Sequence, residues 1–515
     1  MVKINYKLFP VKAHYFFFLG ALGPIQPFLP IFGKHLGVSE VVIGTINASI
    51  PVLFFALKPV FGFILDYFQE KRKFVFMSLL SLMTVSFFLM IFIPESKDIT
   101  HTEVNCTNIT SCEKSVYQLW NAQLVCGNST HEIFSDEDTL CVSNKRSLNC
   151  TNYESCTAIH AKMKSGFYTG VTFWSFVITI SIGSIFCNIC NSLTDAICFE
   201  VLGEGNEMKY GQQRVWGTIG FGMLCLIGGF FMNNVDNTVM YSIKDFYPAM
   251  YLCCFFMIID LLFCYKLKLP PIQKSENIVL DVWNLVKQPH IATFLGFAVL
   301  AGMGDSAIIF YLLWYIEDLA KEMGQLENMK LLQGLTVAAE TLIGEVVSFY
   351  LSGKILRKIG YGHCLSLCFV FYAIRFALIA MIPSPWWILP IELLMQGPTY
   401  ALCYTTIVAY ASAISPPGTT ATVQGIAAGM DDAFGFVIGN LLWSALYKWY
   451  GGKVVFMSAA GLALASSIVH CFLYTTFFRN TVQIKKKDNS KIYEPANTEE
   501  IIESDEKREV RAEII

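Results

Sequence analysis

The chain has 515 residues, 54% of them hydrophobic and 15% charged, with a formal net charge of -3. Soluble domains carry about 25% charged residues, so this composition excludes an ordinary soluble protein. The near-neutral balance gives no electrostatic footprint for a nucleic-acid partner. No glycine-rich phosphate loop and no metal-site spacing stands in the sequence, so neither a nucleotide cofactor nor a resident metal is expected.

The apolar residues fall in runs of roughly 20, the length of a helix that crosses about 30 Å of hydrocarbon. Twelve such helices are expected, near 13–33, 42–65, 74–94, 167–201, 212–232, 246–266, 291–316, 330–352, 364–382, 386–410, 420–447 and 454–478. The fold class is therefore an all-α integral membrane protein. The first run follows Lys3, Lys7 and Lys12. It is too long for a secretory signal and no small-residue cleavage site follows it, so it reads as a retained helix.

Lysine and arginine set the orientation. With the N-terminus inside, the inner loops hold Lys71, Arg72, Lys73, Lys209, Lys266, Lys268, Lys354, Arg357 and Lys358, and the outer loops hold fewer cations. Both termini are expected in the cytoplasm, with the plasma membrane the first location to test and endosomal or lysosomal membranes the others.

Residues 95–165 then form a large outer insert with six cysteines, Cys106, Cys112, Cys126, Cys141, Cys150 and Cys156. An even set in an oxidising compartment implies disulfides, with fifteen possible pairings. Four glycosylation sequons stand at Asn105, Asn108, Asn128 and Asn149. The other eleven cysteines lie at or within helices and read as buried free thiols. Residues 480–515 form a polar tail without the apolar content to fold alone.

A short pattern repeats. After predicted helix 2 the chain reads Gly62 to Asp66 and on to Arg72. Six helices later it reads Gly353 to Gly360 through Arg357 and Lys358. A small residue at a helix end before a short basic loop, at the same place in each half, is the mark of a two-half transporter. Residues 1–266 are the expected first half, 267–290 a central cytoplasmic loop, and 291–479 the second half. Gly62 would let helices approach, and Asp66 could hold a cation or a helix N-terminus across the halves. With Arg72 these are the candidate gating residues.

Ionisable residues inside the helices cost roughly 2.5–3.5 kcal/mol each on insertion scales, so each needs a partner or a wet cavity. They are Lys58, Asp195, Arg214, Asp305, Glu340, Glu345, Arg375, Glu392, Asp431 and Asp432. So many, spread over both halves, point to a polar central cavity. Asp195, Arg214, Lys58 and Gln26 are the candidate substrate-binding residues. Asp305, Glu345, Arg375, Asp431 and Asp432 are the candidate charge network that a proton rearranges.

The stretch Leu57-Lys58-Pro59 to Lys73 resembles the loop 2–3 motif of the major facilitator superfamily, with Gln69 where that motif has a glycine. Tyr210-Gly211 to Arg214 and Trp216-Gly217, with Gly220, looks like the start of helix 5 in the lactose permease branch. There a helix 4 carboxylate partners the arginine at the sugar site, and Asp195 occupies the matching position. The permease's helix 10 proton residues fall at Tyr400 and Cys403, so its proton site is not reproduced. An ordered set of further stretches resembles the group called major facilitator superfamily domain-containing protein 6. They are Ala13-His14-Tyr15 with Pro24 to Pro30, Trp314 to Leu319, Gly344-Glu345-Val346 with Ser352-Gly353, and Pro385 to Gly425. The resemblance implies two six-helix bundles that move a small polar solute by alternating access, with proton symport the leading expectation. The competing expectations are uncoupled diffusion, separated by its pH independence, and a surface recognition protein whose insert binds an extracellular protein ligand. Enzyme chemistry is not expected, because no nucleophile–base spacing appears.

Overall fold

A computed structural model describes residues 8–38, 40–94, 97–104, 110–111, 120–126, 129–135, 140–142, 156–163, 167–203, 205–233, 246–270, 275–324 and 329–478. The tail lies outside the described residues, as do Asn105, Asn108, Asn128, Asn149, Cys106, Cys112 and Cys150. Cys126, Cys141 and Cys156 stand in described strands, but only their backbone is described.

The helices, in chain order, are α1 (Phe9–Leu22), α2 (Leu29–Leu36), α3 (Glu40–Tyr67), α4 (Arg72–Leu89), α5 (Val171–Leu202), α6 (Gly211–Asn233) and α7 (Tyr247–Lys266). They continue with α8 (Ile278–Val286), α9 (Pro289–Glu322), α10 (Met329–Ala338), α11 (Val346–Ile359), α12 (Tyr361–Ala380), α13 (Ile388–Gln396), α14 (Leu402–Ile414), α15 (Thr420–Ala428), α16 (Phe436–Tyr450) and α17 (Gly452–Leu473). Among the described residues, nine helical stretches are long and apolar enough to cross a membrane. Proline opens α7 and α9, where its missing N–H has no helical partner to lose.

Three differences from the sequence expectation stand out, and two have local causes. The first expected helix is two pieces, because the chain after α1 tightens into a 3-10 turn at Gln26–Phe28 with Pro27 inside it. The expected loop 267–290 contains α8, which buries Ile278, Val282 and Leu285 at helical spacing and is capped by the Asn277 side chain on the Leu280 N–H at 3.1 Å. Of the eleven cysteines beyond the insert, nine are buried, Cys225 is half-buried and Cys471 is exposed.

The insert backbone forms a six-stranded sheet, β1 (Lys97–Val104), β2 (Thr110–Ser111), β3 (Trp120–Cys126), β4 (Ser129–Ser135), β5 (Leu140–Val142) and β6 (Cys156–Met163), in the order β1-β6-β3-β4-β5-β2. β1 and β6, its first and last strands, pair antiparallel from Lys97 opposite Met163 to Val104 opposite Cys156. The insert therefore leaves and re-enters the helical body along one ribbon.

α1 packs along α6 and α7, and α4 along α5 and α7. α9 packs along α16 and α17, and α12 along α17. The two groups meet where α3 lies against α15 and α6 against α11. Single glycines, Gly360 and Gly451, reverse the chain between α11 and α12 and between α16 and α17. Their φ of 85° and 80°, with extended ψ, is a region essentially closed to other residues. Among the described residues, three wide π-turns interrupt the helices after residue 338, at Ala339–Glu345, Gly397–Ala401 and Gly429–Gly435, and a fourth, Tyr474–Phe478, follows the end of α17. Such turns re-aim side chains and concentrate at functional sites.

Candidate functional site

Each of those three π-turns sends side chains into one cavity of about 380 Å³. Glu340 and Glu345 come from the first, Tyr400 from the second, and Asp431 and Asp432 from the third. The opposite wall is built by Gln26, Asn188, Asn191, Arg214 and Thr218, and Asp305 reaches in from α9. The cavity therefore collects polar groups from both sides of the seam.

Arg214 is 5% exposed, and its Nε and Nη1 have no hydrogen-bond partner. Its guanidinium lies 5.7–5.8 Å from the ring centres of Tyr15, Phe349 and Tyr404. Rings at that range attract a cation through their quadrupole but leave its N–H groups free.

The expected partnership of Asp195 with Arg214 takes a different form. Asp195 makes no ion pair with it. Its carboxylate accepts hydroxyls instead: Tyr15 at 2.7 Å and Tyr210 at 2.8 Å on Oδ1, and Tyr404 at 2.5 Å on Oδ2. Three donors saturate the anion, so the arginine keeps its hydrogen-bonding capacity. Tyr15 and Tyr404 serve both groups at once, one face toward the cation and the hydroxyl on the anion.

Lys58 is also placed differently. It does not line the cavity. Its ammonium donates to both oxygens of Asp432 at 2.5 Å. A buried lysine needs an anion, and the π-turn supplies one. Asp431 next to it lines the cavity with Oδ1 buried and unpartnered. Neither aspartate hydrogen-bonds to Asp305 or Arg375 of the expected charge network, which have other partners. Asp305 accepts the Tyr372 hydroxyl at 2.6 Å, and Arg375 forms a fully buried two-point pair with Glu392 and donates to Thr399 at 2.7 Å. Arg375 thus holds α12 to α13 and stands outside the cavity lining. Glu345 accepts from Gln396 at 3.0 Å and from Thr218 at 3.4 Å, the latter joining α6 to the first π-turn.

The motif residues sit at the basic end of the bundle. Asp66 accepts the backbone N–H groups of Ala421 at 3.2 Å and Thr422 at 2.7 Å, and the Thr422 hydroxyl at 2.6 Å. It is a helix N-cap supplied across the seam from α3 to α15. Gly62 lies so close to Ala421 that a Cβ there would overlap the backbone, and Gly353 stands in the same relation to Met208. The repeated glycine thus makes the same close approach twice. Arg72 pairs with Glu200 at 2.7 Å and donates to the Pro270 carbonyl at 2.5 Å. The bundle is shut at this end, and the cavity lies beyond the closure.

The sequence model of the MFS_1 like family matches residues 8–458. The chain belongs to that family. Solved structures agree on the fold. The nucleoside transporter NupG aligns with a TM-score of 0.53 at 16% identity, over 92% of this chain and 99% of its own. The human organic anion transporter MFSD10 (TETRAN) aligns at 0.59 and 15%, over 90% and 98%. The E. coli fucose:proton symporter FucP aligns at 0.58 and 10%, over 90% and 98%. At these identities the likeness establishes the fold alone. Family and apolar helices together make this MFS_1 like chain a multi-pass membrane transporter and not an enzyme.

Proposed function

We propose that the chain is a secondary active transporter that carries a small polar organic solute through the cavity around Arg214 by alternating access, coupled to protons. The observation that carries the reading is the unsatisfied charge in that cavity: Arg214 without acceptors on one wall, Asp431 without donors on the other. Buried ionisable groups left without partners are costly. Their retention at facing walls is the pattern of a site that a solute or a proton completes. Arg214, Gln26 and the Asn188–Asn191 wall bind the solute in this reading. Asp431, with Asp305 and Glu345, takes the proton. Asp195 positions the tyrosines, and Lys58–Asp432 ties α3 to the π-turn.

The finer architecture belongs to the same proposal. Twelve spans form two halves, 1–266 and 291–479, joined by the segment 267–290 and followed by the cytoplasmic tail 480–515. Both termini face the cytoplasm of a plasma-membrane protein. The insert is disulfide-tied and glycosylated, and the narrower relatedness is to the domain-containing protein 6 group. Basic residues at the closed end and sequons in the insert support this topology.

Transport of radiolabelled nucleosides, hexoses and organic anions into proteoliposomes, with and without an inward proton gradient, tests the reading. Accumulation driven by the gradient is expected. Equilibration unaffected by the gradient would replace symport by uncoupled diffusion. A protein inert toward every solute while binding an extracellular protein would favour the recognition role.

A further inference from the structure

A second buried cluster lies away from the cavity, between α1, α5 and α7. His14 Nδ1 stands 2.7 Å from Asp260 Oδ1 and 3.1 Å from Cys264 Sγ, and Cys264 Sγ stands 3.9 Å from Asp260 Oδ1. The other ring nitrogen, Nε2, is 2.9 Å from Thr194 Oγ1. His14 is 2% exposed, Asp260 0% and Cys264 1%. Phe18 and Phe76 cover the imidazole at 5.4 Å. One nitrogen, one oxygen and one sulfur thus converge, all within 4.8 Å of one another.

We propose that this cluster is a binding site for a late first-row divalent cation of the zinc type, which clips α1 to α7. The donor set is the borderline mixture of imidazole, carboxylate and thiolate that such ions prefer. The spacing is close to what they need. Ligand bonds of ~2.0–2.3 Å at tetrahedral angles put neighbouring donors about 3.3–3.6 Å apart. The three separations in the protein bracket that range, and shifts of roughly half an ångström would reach it.

Two further features point to a ligand. Asp260 Oδ2 is buried with no partner, so a carboxylate oxygen is left for a fourth bond or for a metal-bound water. A proton shared by His14 and Asp260, with the Cys264 thiol donating to Asp260 Oδ1, still leaves Oδ2 unserved. Thr194 stands 2.9 Å from Nε2, where its hydroxyl would accept from Nε2–H in the tautomer that turns the Nδ1 lone pair toward the other donors. Charge also closes: a divalent cation with one carboxylate, one thiolate and a neutral imidazole sums to zero, as a dry site requires. The site is shallow. Cys264 lies two residues from the end of α7, about 3 Å of rise, and His14 five residues into α1, about 7.5 Å. Both lie toward the closed, basic end of the bundle.

Cobalt(II) titration of the purified full-length protein in detergent tests this. One equivalent should bind with a thiolate-to-cobalt charge-transfer band, and zinc should displace it. In Cys264→Ser the band should vanish and the affinity fall by more than about 100-fold, whereas Cys368→Ser should match wild type. The extracellular insert is intact in both variants, so its cysteines cancel from the comparison. If Cys264→Ser does not fold, X-ray absorption of zinc-loaded wild type supplies the second reading: one sulfur and two or three nitrogen or oxygen neighbours are expected. A band that persists in Cys264→Ser, the absence of a bound equivalent, or a sulfur-free or all-sulfur shell would overturn the proposal and leave a hydrogen-bonded His14–Asp260 pair.

Discussion

The carboxylate of Asp66 caps the first turn of α15 through Thr422, whose backbone N–H it accepts at 2.7 Å and whose hydroxyl at 2.6 Å, although 356 residues separate the two. Cap and closure are the same contact, so whatever opens the basic end must first uncap α15. Replacing a capping carboxylate by alanine costs about 0.5–2 kcal/mol. In Asp66→Ala, hydrogen exchange at the amides of Ala421 and Thr422 should quicken by roughly 2- to 30-fold, as that free energy implies. Exchange at wild-type rates would show that the cap does not hold the closed end.

The two close glycines give a steric counterpart. Valine at position 353 would push into the backbone of Met208. Overpacking of this kind costs about 1–3 kcal/mol. Gly353→Val should therefore lower the thermal midpoint and shift the protein toward forms open at the basic end. Distances between spin labels on α6 and α11 measure that shift. An unchanged distance distribution would contradict the role given to Gly353.

Arg375 and Glu392 are both fully buried. Removing one member of such a pair strands the other, at about 3–5 kcal/mol, whereas removing both together is often nearly neutral. Arg375→Met should be strongly destabilised, and Arg375→Met with Glu392→Leu should recover most of the loss. Thermal unfolding in detergent compares the two. If the double variant is no better than the single one, charge pairing is not what holds α12 to α13.

In the proposed solute site, Arg214→Lys keeps the charge and loses the fork of donors. A hydrogen bond to a charged group is worth about 1.5–3 kcal/mol, so apparent solute affinity should fall by roughly 10- to 150-fold with the fold retained. Full uptake affinity in Arg214→Lys would remove the arginine from the solute site.

Much of this arrangement was legible in the sequence, for identifiable reasons. Helices declared themselves by apolar length, and intramembrane charges by rarity. The glycine–acid motif announced a close approach of two helices, and both Gly62 and Asp66 stand where α3 meets α15. Partner choice was not legible. Asp195 lies with Tyr15, Tyr210 and Tyr404 rather than with Arg214, because a tyrosine in an apolar helix carries no signal that its hydroxyl has work to do. Lys58 finds Asp432 because a π-turn, set by backbone hydrogen bonding and not by residue type, re-aims the acidic pair. The pairing of Arg375 was equally hidden, because Glu392, seventeen residues on, meets it only when α12 and α13 stand side by side.

The central claim is that Asp431 carries the driving proton into a cavity whose solute rests on Arg214. The most direct measurement is uptake into proteoliposomes by wild type and Asp431→Asn, for a solute that wild type accumulates under an inward proton gradient. Concentrative uptake should be lost in Asp431→Asn while exchange of internal for external solute persists, because exchange needs no net proton movement. Accumulation by Asp431→Asn at the wild-type level, collapsing with a protonophore as before, would contradict the account.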